Sequence, residues 1–198
     1  MRIFISGPSG VGKSSVIKEI LKRKPDTVLS VSYTTRAPRP GEHDGTDYFF
    51  VSRDTFEEMI EKGSFLEWAN VHGHLYGTSL AWVESREADG FNVLFDIDVQ
   101  GVIQAKAQGS KGCFIFIVPP DMEELSRRLN GRGTEDSRQL ALRLENARLE
   151  LTYWTLYDYL VVNESLEKTI DDVSTIMEAQ GLLKEEVIRK LPWLSTIA

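Results

Sequence analysis

The stretch that most constrains this chain is its beginning, where an apolar run turns into a glycine-rich loop and then into a helical pattern. Residues 2–6 read RIFIS, and residues 7–14, GPSGVGKS, match the G-x-x-x-x-G-K-S spacing of a phosphate-binding loop. Glycines let backbone N–H groups approach phosphate oxygens, and the helix predicted over residues 13–24 adds its positive end. The pattern therefore predicts a nucleoside triphosphate site.

This loop supplies the predicted ATP-binding residues. Lys13 is expected to reach the β- and γ-phosphates as a catalytic charge, and the Ser14 hydroxyl is expected to bind Mg²⁺ together with ATP. The full set is Gly7, Pro8, Ser9, Gly10, Val11, Gly12, Lys13, Ser14 and Ser15. A chance glycine-rich turn is the alternative, but the strand pattern before the loop and the helix pattern after it disfavour that reading.

Length, charge and cysteine content narrow the possible partners. The 198 residues fit one domain with a sizeable core, and a net charge of −7 argues against nucleic acid and membrane as partners. The single cysteine, Cys113, lies in an apolar run and cannot form an internal disulfide. The first strand leaves no room for a signal peptide, and no apolar run approaches the roughly 18 residues of a membrane span. We therefore expect a cytoplasmic protein.

The apolar pattern predicts an α/β fold. Five short apolar runs, residues 2–6, 27–31, 92–97, 113–118 and 159–162, alternate with helical patterns. Continuous apolar strands between helices predict a parallel sheet with helices on both faces. Ligands are then expected at the carboxyl ends of the strands.

Two regions interrupt this alternation within one predicted domain, 1–198. Residues 33–89 are more polar and aromatic, and they predict an inserted α+β lobe that divides a core formed by 1–32 and 90–198. Residues 126–140 surround the charged, glycine-rich sequence NGRGTEDS and predict a mobile lid. The tail after residue 180 predicts an amphipathic helix that packs on the core or on a neighbouring molecule. Whether the protein is a monomer or a small homo-oligomer stays open.

Arginines cluster in two of the predicted loops. Arg36 and Arg39 lie in a proline-rich loop, Arg128 and Arg132 flank the glycine-rich lid, and Arg143 follows on the next helix. Any one of them could simply be a solvated surface residue. Together they suit phosphoryl transfer, which requires positioning and positive charge around the phosphates more than covalent help from the protein.

Carboxylates follow the third apolar run. Asp96 and Asp98 come where residues 93–95 end, at the edge expected to bind ligands. They can hold Mg²⁺ or a substrate group, and Asp98 can equally cap the next helix. Asp96, within an apolar run, would be costly as a buried unpaired carboxylate. None of the three histidines has metal-ligand spacing, so zinc chemistry is not expected.

Motifs along most of the chain resemble those of guanylate kinases. Beyond the phosphate-binding loop, the matching segments are SVSYTTRAPR at 30–39, GE at 41–42, Gly45, DYFF at 47–50, FLEWA at 65–69, YGT at 76–78, DIDVQG at 96–101, RLNGRGT at 128–134 and VVN at 161–163. The phosphate-binding loop is common to many families, whereas the serine-threonine-arginine-proline signature and the order of the other segments are far more specific. The tail beyond about residue 180 lies outside the resemblance.

The resemblance implies an activity and a role for each site residue. Guanylate kinases convert GMP, and also dGMP, to the diphosphate with ATP and Mg²⁺, in purine nucleotide metabolism. By resemblance, the GMP phosphate is held by Arg36, Arg39, Tyr48 and Tyr76, the guanine is recognised by Ser32, Glu67, Thr78 and Asp98, and the ATP phosphates are approached by Arg128, Arg132 and Arg143. Asp96 is also expected to bind GMP. Arg36 and the three arginines near ATP are expected to be catalytic, together with Lys13.

Guanine chemistry agrees with this assignment. Guanine presents two donors on one edge, N1–H and the 2-amino group, and a carboxylate such as Glu67 accepts both. Adenine lacks both donors, so such a site discriminates by about 10⁴-fold. Hydroxyls of Ser32 and Thr78 are expected to donate to guanine O6 or N7. Two alternatives stay open: an inactive module of the same fold that binds phosphopeptides, and a nucleoside monophosphate kinase of other base specificity.

Overall fold

The protein is described by a computed structural model that covers residues 1–71, 73–130 and 137–191, with backbone only at 137 and 138. In chain order the elements are β1 (Arg2–Ser6), α1 (Lys13–Arg23), β2 (Thr27–Leu29), β3 (Tyr33–Thr34), β4 (Phe49–Phe50), α2 (Arg53–Glu61), β5 (Phe65–Val71), β6 (His74–Ser79), α3 (Leu80–Ala88), β7 (Asn92–Asp96), α4 (Val99–Ala107), β8 (Cys113–Val118), α5 (Met122–Asn130), α6 (Ser137–Leu151), a 3-10 turn (Thr152–Leu156), β9 (Tyr159–Val162), α7 (Leu166–Gly181) and α8 (Lys184–Lys190).

The larger sheet has five parallel strands in the order β2-β7-β1-β8-β9. These are the five predicted strands, and the α/β prediction with a parallel core is confirmed. Three element ends differ by one or two residues from the prediction, because β2, β7 and α1 stop slightly earlier than their apolar patterns. The strand order brings the carboxyl ends of β1 and β7 together, directly beside the glycine-rich loop.

Successive side chains of β1 point to opposite faces of this sheet, and each face is packed against helices. Ile3 and Ile5 of β1 point into a cluster with α1 and α7, whereas Phe4 points to the opposite face. There the Phe4 ring stacks between Phe95 and Phe114, with ring centroids 4.4 Å away on each side. Alternation within fully buried strands thus requires helices on both faces, as the apolar runs predicted.

A second, smaller sheet has the order β4-β3-β6-β5. The pair β3–β4 is parallel and the other two pairs are antiparallel. Helix α2 covers it through Phe56, whose ring stacks on Phe65 at 4.4 Å. An irregularity in register between Phe65 and Glu67 locally changes the pairing of β5. All four strands fall within the predicted lobe at 33–89, whose boundaries stay a prediction.

The tail helix is attached to the core by charge. The predicted helix is present as α8, but none of its residues is fully buried, and Leu182 just before it is 78% exposed. Arg189 pairs with Glu87 of α3 at 3.4 Å, and Glu186 lies 3.9 Å from the amino group of Met1. Ion pairs therefore make a contact that the apolar pattern assigned to packing.

The predicted lid at 126–140 falls partly outside the described residues, and Arg132 is among those not described. Within the described part of the chain, none of the helices has both the length and the apolar character needed to cross a bilayer. Cys113 is buried on β8, and its burial raises the pKa of the thiol to about 12, as expected for a small core residue.

Candidate active site

The loop between β1 and α1 has a backbone that requires glycine at two positions. Gly10 and Gly12 have φ of 84° and 98°, in the left-handed region that other residues rarely adopt. A Cβ at Gly12 would also lie 2.7 Å from Asn163 Nδ2, and one at Gly10 would lie 2.6 Å from Leu129 Cδ2. The glycines thus allow the loop to turn while it packs against α5 and the end of β9.

A hydrogen-bond network fixes the centre of this loop from behind. The Val11 carbonyl accepts from Asn163 Nδ2 at 2.7 Å and from Arg128 Nη1 at 3.3 Å. Asn163 Oδ1 accepts in turn from the Thr169 hydroxyl at 2.9 Å, and Asn163 is buried. Sequence reasoning missed Asn163 and Thr169 as site residues, because their contacts join β9 and α7 to a loop about 150 positions earlier.

Arg128 has its guanidinium bonded to protein groups. Besides the Val11 carbonyl, it donates from Nη2 to the Asn163 carbonyl at 2.8 Å and from Nε to Glu124 at 2.7 Å. In this arrangement Arg128 supports the loop. Its predicted contact with ATP phosphates stays a prediction, as does that of Arg143, which lies half-buried on α6.

A cavity of about 330 Å³ lies over the loop. It is lined by Gly7, Pro8, Ser9, Gly10, Gly12, Lys13, Ser14, Ser15, Asp98 and Glu150. Eight of the nine residues predicted to bind ATP are in this lining. The exception, Val11, is fully buried and faces the supporting network.

Glu150 is a carboxylate in this cavity that sequence reasoning did not identify. Burial raises the pKa of the Glu150 carboxyl and nearby Asp98 adds to the rise, whereas Lys13 and a hydrogen bond from the Ser9 N–H oppose it. In the sequence, only the position of Glu150 outside the apolar pattern of α6 could have identified it as a site residue. The cavity therefore contains acidic as well as phosphate-binding groups.

The two aspartates after β7 have different partners. Asp96 Oδ1 lies 2.5 Å from Lys13 Nζ, and the Asp96 side chain is 34% exposed. Asp96 therefore avoids the cost of a buried unpaired carboxylate, because the strand delivers this side chain to the rim of the site, beside Lys13. Asp98 caps α4 by accepting the Gly101 N–H at 2.8 Å, and it also lines the cavity. The capping and site interpretations of Asp98 are thus compatible.

A second group of predicted residues comes together on the smaller sheet. The Arg36 guanidinium donates from Nε to Tyr76 Oη at 3.2 Å and lies 5.4 Å from the centre of the Tyr48 ring. Its Nη2 donates to both carboxylate oxygens of Glu42, at 2.8 and 2.9 Å. Arg39 is exposed, three positions from Arg36. Glu42 was not among the predicted site residues.

The predicted base-recognition residues centre on a buried carboxylate. Glu67 is 8% exposed and accepts the Thr78 hydroxyl at 2.6 Å. Burial raises the pKa of Glu67, the Thr78 hydrogen bond opposes the rise, and Asp98 adds to it. Because the Thr78 hydrogen is directed to Glu67, the Ser30 hydroxyl 3.4 Å away is the donor to Thr78. In this arrangement the Thr78 hydrogen is used by Glu67, and its donation to guanine stays a prediction. Ser32 is half-buried nearby in the chain, just before β3.

Comparisons with known proteins show the family to which the chain belongs. A family model described as guanylate kinase matches residues 1–180. The chain belongs to the guanylate kinase family. Among its relatives, the guanylate kinase of Thermotoga maritima is 49% identical over 176 residues, which cover 89% of this chain and 85% of that protein. The guanylate kinase of Lactococcus lactis is 45% identical over 188 residues, covering 95% and 92%.

A solved structure leads to the same family. The crystal structure of guanylate kinase from Anaplasma phagocytophilum has a TM-score of 0.69 and 34% identity, and the match covers 97% of this chain and 95% of that one. The family resemblance inferred from the motifs is thus confirmed. The match to the family model includes both sheets of this guanylate kinase family member and ends before α8.

Proposed function

We propose that this chain transfers the γ-phosphoryl group of ATP to GMP and releases ADP and GDP. Membership of the guanylate kinase family supports the assignment. The single observation that carries it is the Glu67 carboxylate, buried and oriented by Thr78 in a chain that also has a complete phosphate-binding loop. A buried carboxylate with unfilled acceptor capacity needs a ligand that offers donors.

The guanine base supplies those donors. In the proposed complex, N1–H and the 2-amino group donate to the ionised Glu67, and Thr78 holds that carboxylate in place. Asp98 and Ser32 complete the base site in this proposal. Adenine would leave Glu67 without donors, and an unpaired buried polar group of this kind underlies discrimination of about 10⁴-fold.

Phosphoryl transfer then requires two phosphates to meet in line. We assign the GMP phosphate to Arg36, Arg39, Tyr48 and Tyr76. One of its oxygens attacks the γ-phosphorus, and the bond from that phosphorus to the oxygen shared with the β-phosphate breaks. No general base is needed, since the attacking phosphate is already an anion. Lys13 stabilises charge on the transferring group, with Arg128, Arg132 and Arg143 as the remaining candidates.

The residues around the cavity fit a magnesium ion brought in with ATP. The Ser14 hydroxyl and the Asp98 carboxylate line the cavity, and oxygen donors of this kind suit Mg²⁺. Among the described residues, no three acidic, cysteine or histidine side chains form a metal-binding group, so the ATP phosphates would complete the coordination. Ser14 would hold the ion together with the ATP phosphates, whereas Asp98 is assigned to the base site; when bound, the ion neutralises phosphate charge.

We also assign the enzyme a setting and a domain arrangement. A net charge of −7 and one buried cysteine support action in the cytoplasm without nucleic-acid or membrane partners. We further propose a monomer or small homo-oligomer. In this proposal residues 33–89 form the GMP-binding lobe and 126–140 the lid. Closure of both excludes water, which would otherwise hydrolyse ATP.

One assay tests the assignment. Purified protein is mixed with ATP and Mg²⁺ and with GMP, AMP, UMP or dTMP in turn, and ADP formation is followed. Of the four monophosphates, we expect rapid turnover only with GMP. No ADP with GMP would contradict the enzyme assignment and favour the phosphopeptide-binding module, which the intact Lys13 and Ser14 otherwise disfavour. Equal rates with AMP would contradict the role of Glu67.

A further inference from the structure

The loop between β3 and β4 contains a carboxylate that the proposed mechanism does not use. We propose that Glu42 is a positioning residue that builds the GMP phosphate site, because it holds the Arg36 guanidinium and the turn that carries Arg39. This inference rests on the proposed function and deepens it. Glu42 itself is not expected to contact the substrate.

One carboxylate joins both arginines. Glu42 Oε1 and Oε2 accept from Arg36 Nη2 at 2.8 and 2.9 Å, and Oε2 also accepts the backbone N–H of Arg39 at 2.8 Å. The Glu42 N–H donates back to the Arg39 carbonyl at 3.0 Å and closes the turn. A single side chain therefore holds both the Arg36 guanidinium and the backbone at Arg39.

The other contacts of Arg36 complete a fixed orientation. Nε donates to Tyr76 Oη at 3.2 Å and Nη1 donates to the Ala37 carbonyl at 2.7 Å. The Tyr48 and Phe50 rings lie 5.4 and 5.9 Å from the guanidinium carbon. An arginine held on several sides loses little conformational entropy when a phosphate binds, so binding is stronger.

The ion pair between Arg36 and Glu42 is largely shielded from water, which strengthens it. The Arg36 and Glu42 side chains are only 11% and 20% exposed. The hydrogen bonds from Arg36 and from the Arg39 backbone keep the pKa of Glu42 below its ordinary value, so the carboxylate stays charged. A charged carboxylate whose two oxygens both accept from Arg36 Nη2 holds the guanidinium more strongly than a neutral partner would.

A different role for Glu42 would be to occupy the phosphate position until GMP arrives. The turn argues against this, since Glu42 is bonded to Arg39 through both its carboxylate and its own N–H. Moving the carboxylate away would open the turn and displace Arg39 as well. A group that only stood in for the phosphate would not be built into the loop that must receive it.

The experiment compares two ligands that differ only in the phosphate. GMP and guanosine are titrated by calorimetry into wild type, Glu42→Gln and Glu42→Ala, and KM for GMP and for ATP is measured on the same proteins. The matched control is Glu57→Gln, which removes the exposed pair between Glu57 and Arg53 on α2. We expect GMP binding to weaken about tenfold in Glu42→Gln, and more in Glu42→Ala, since a charge-assisted arginine contact is lost. Guanosine binding, KM for ATP and the control should stay within about twofold of wild type.

Each outcome decides the matter. Equal weakening of GMP and guanosine would mean that Glu42 only maintains the fold, and tighter GMP binding would mean that it occupies the phosphate position; either overturns the proposal. In an Arg36→Ala background, Glu42→Gln should have a much smaller effect, and full additivity would also count against it. A wild-type protein that fails to bind GMP contradicts the proposed function itself, whereas an unaffected Glu42→Gln contradicts only this inference.

Discussion

The two proposed nucleotide sites are built from different parts of the chain. The loop at residues 7–15 presents mainly backbone, and its shape depends on glycines and on Asn163 and Arg128 behind it. The site on the smaller sheet presents side chains, and two of these are held by other side chains, Glu67 by Thr78 and Arg36 by Glu42 and Tyr76. A backbone site can be recognised by spacing alone, whereas a side-chain site depends on contacts between separate strands.

This difference has a functional consequence. Backbone N–H groups bind phosphate without reading a base, so the loop suits a donor shared by many enzymes. Specificity then has to come from side chains that can be lost one at a time. Changes in the loop should therefore affect turnover, and changes on the smaller sheet should affect the choice and affinity of the acceptor.

The largest effect is expected for Lys13→Ala. Removal of the charge beside the transferring phosphoryl group should lower kcat by about 10³-fold, as for other preorganised charge-stabilising groups. GMP affinity measured by calorimetry should remain within about threefold of wild type if the two sites are separate. Lys18→Ala, on the exposed side of α1, is the control and should be near wild type. Loss of GMP binding in Lys13→Ala would show that the division into two sites is wrong.

A somewhat smaller effect is expected for Glu67→Gln. The amide keeps the size of the side chain but accepts only one of the two guanine donors, so the ratio of kcat/KM for GMP over AMP should fall about 10²-fold. Thermal stability should be nearly unchanged, because a buried neutral amide is easier to accommodate than a buried carboxylate. Glu84→Gln on the exposed side of α3 is the control. An unchanged GMP preference would remove Glu67 from the base site.

A third effect tests the support behind the loop. Asn163→Ala removes the 2.7 Å hydrogen bond to the Val11 carbonyl and one of the two acceptors near the Thr169 hydroxyl, the other being the Ser165 carbonyl. We expect a loss of about 2 kcal/mol in the free energy of unfolding, measured by denaturant titration, and a raised KM for ATP. KM for GMP should not change. The control is Gln108→Ala, exposed at the end of α4, which should leave the free energy of unfolding and KM for ATP near wild type. If Asn163→Ala raised only KM for GMP, the proposed separation of the two nucleotide sites would be contradicted.

Sequence reasoning succeeded where contacts are local or patterns are periodic. The five core strands followed from apolar runs, and the residues that line the cavity over the loop followed from the spacing of glycines, lysine and serine. The residues it missed act across long separations. Glu150 enters the cavity because α6 passes over the loop, and Asn163 reaches Val11 from the end of β9. No spacing rule encodes such meetings, since they depend on how the helices pack.

The smallest effect concerns pH and has different expected signs at the two sites. Burial raises the pKa of Glu67 above its ordinary value, so acidification protonates this carboxyl earlier than an exposed one. The protonated form cannot accept both guanine donors, and KM for GMP should rise as pH falls, by at most about tenfold per pH unit. At the ATP site, acidification protonates Glu150, whose pKa burial also raises, and removes a negative charge near the phosphates. KM for ATP should therefore not rise.

The GMP phosphate also titrates, with a pKa of about 6, so the base and phosphate contributions have to be separated. The control is Glu67→Gln, in which only the phosphate contribution remains, and its KM for GMP should depend less steeply on pH than that of wild type. Folding gives a second readout. Because the pKa of Glu67 is raised in the folded state, its contribution to stability is fully present below the ordinary carboxyl pKa and is lost as pH rises through the folded pKa, and Glu67→Gln should remove this contribution. Identical pH profiles for the two proteins would mean that Glu67 is not the group that distinguishes the acceptor site from the donor site.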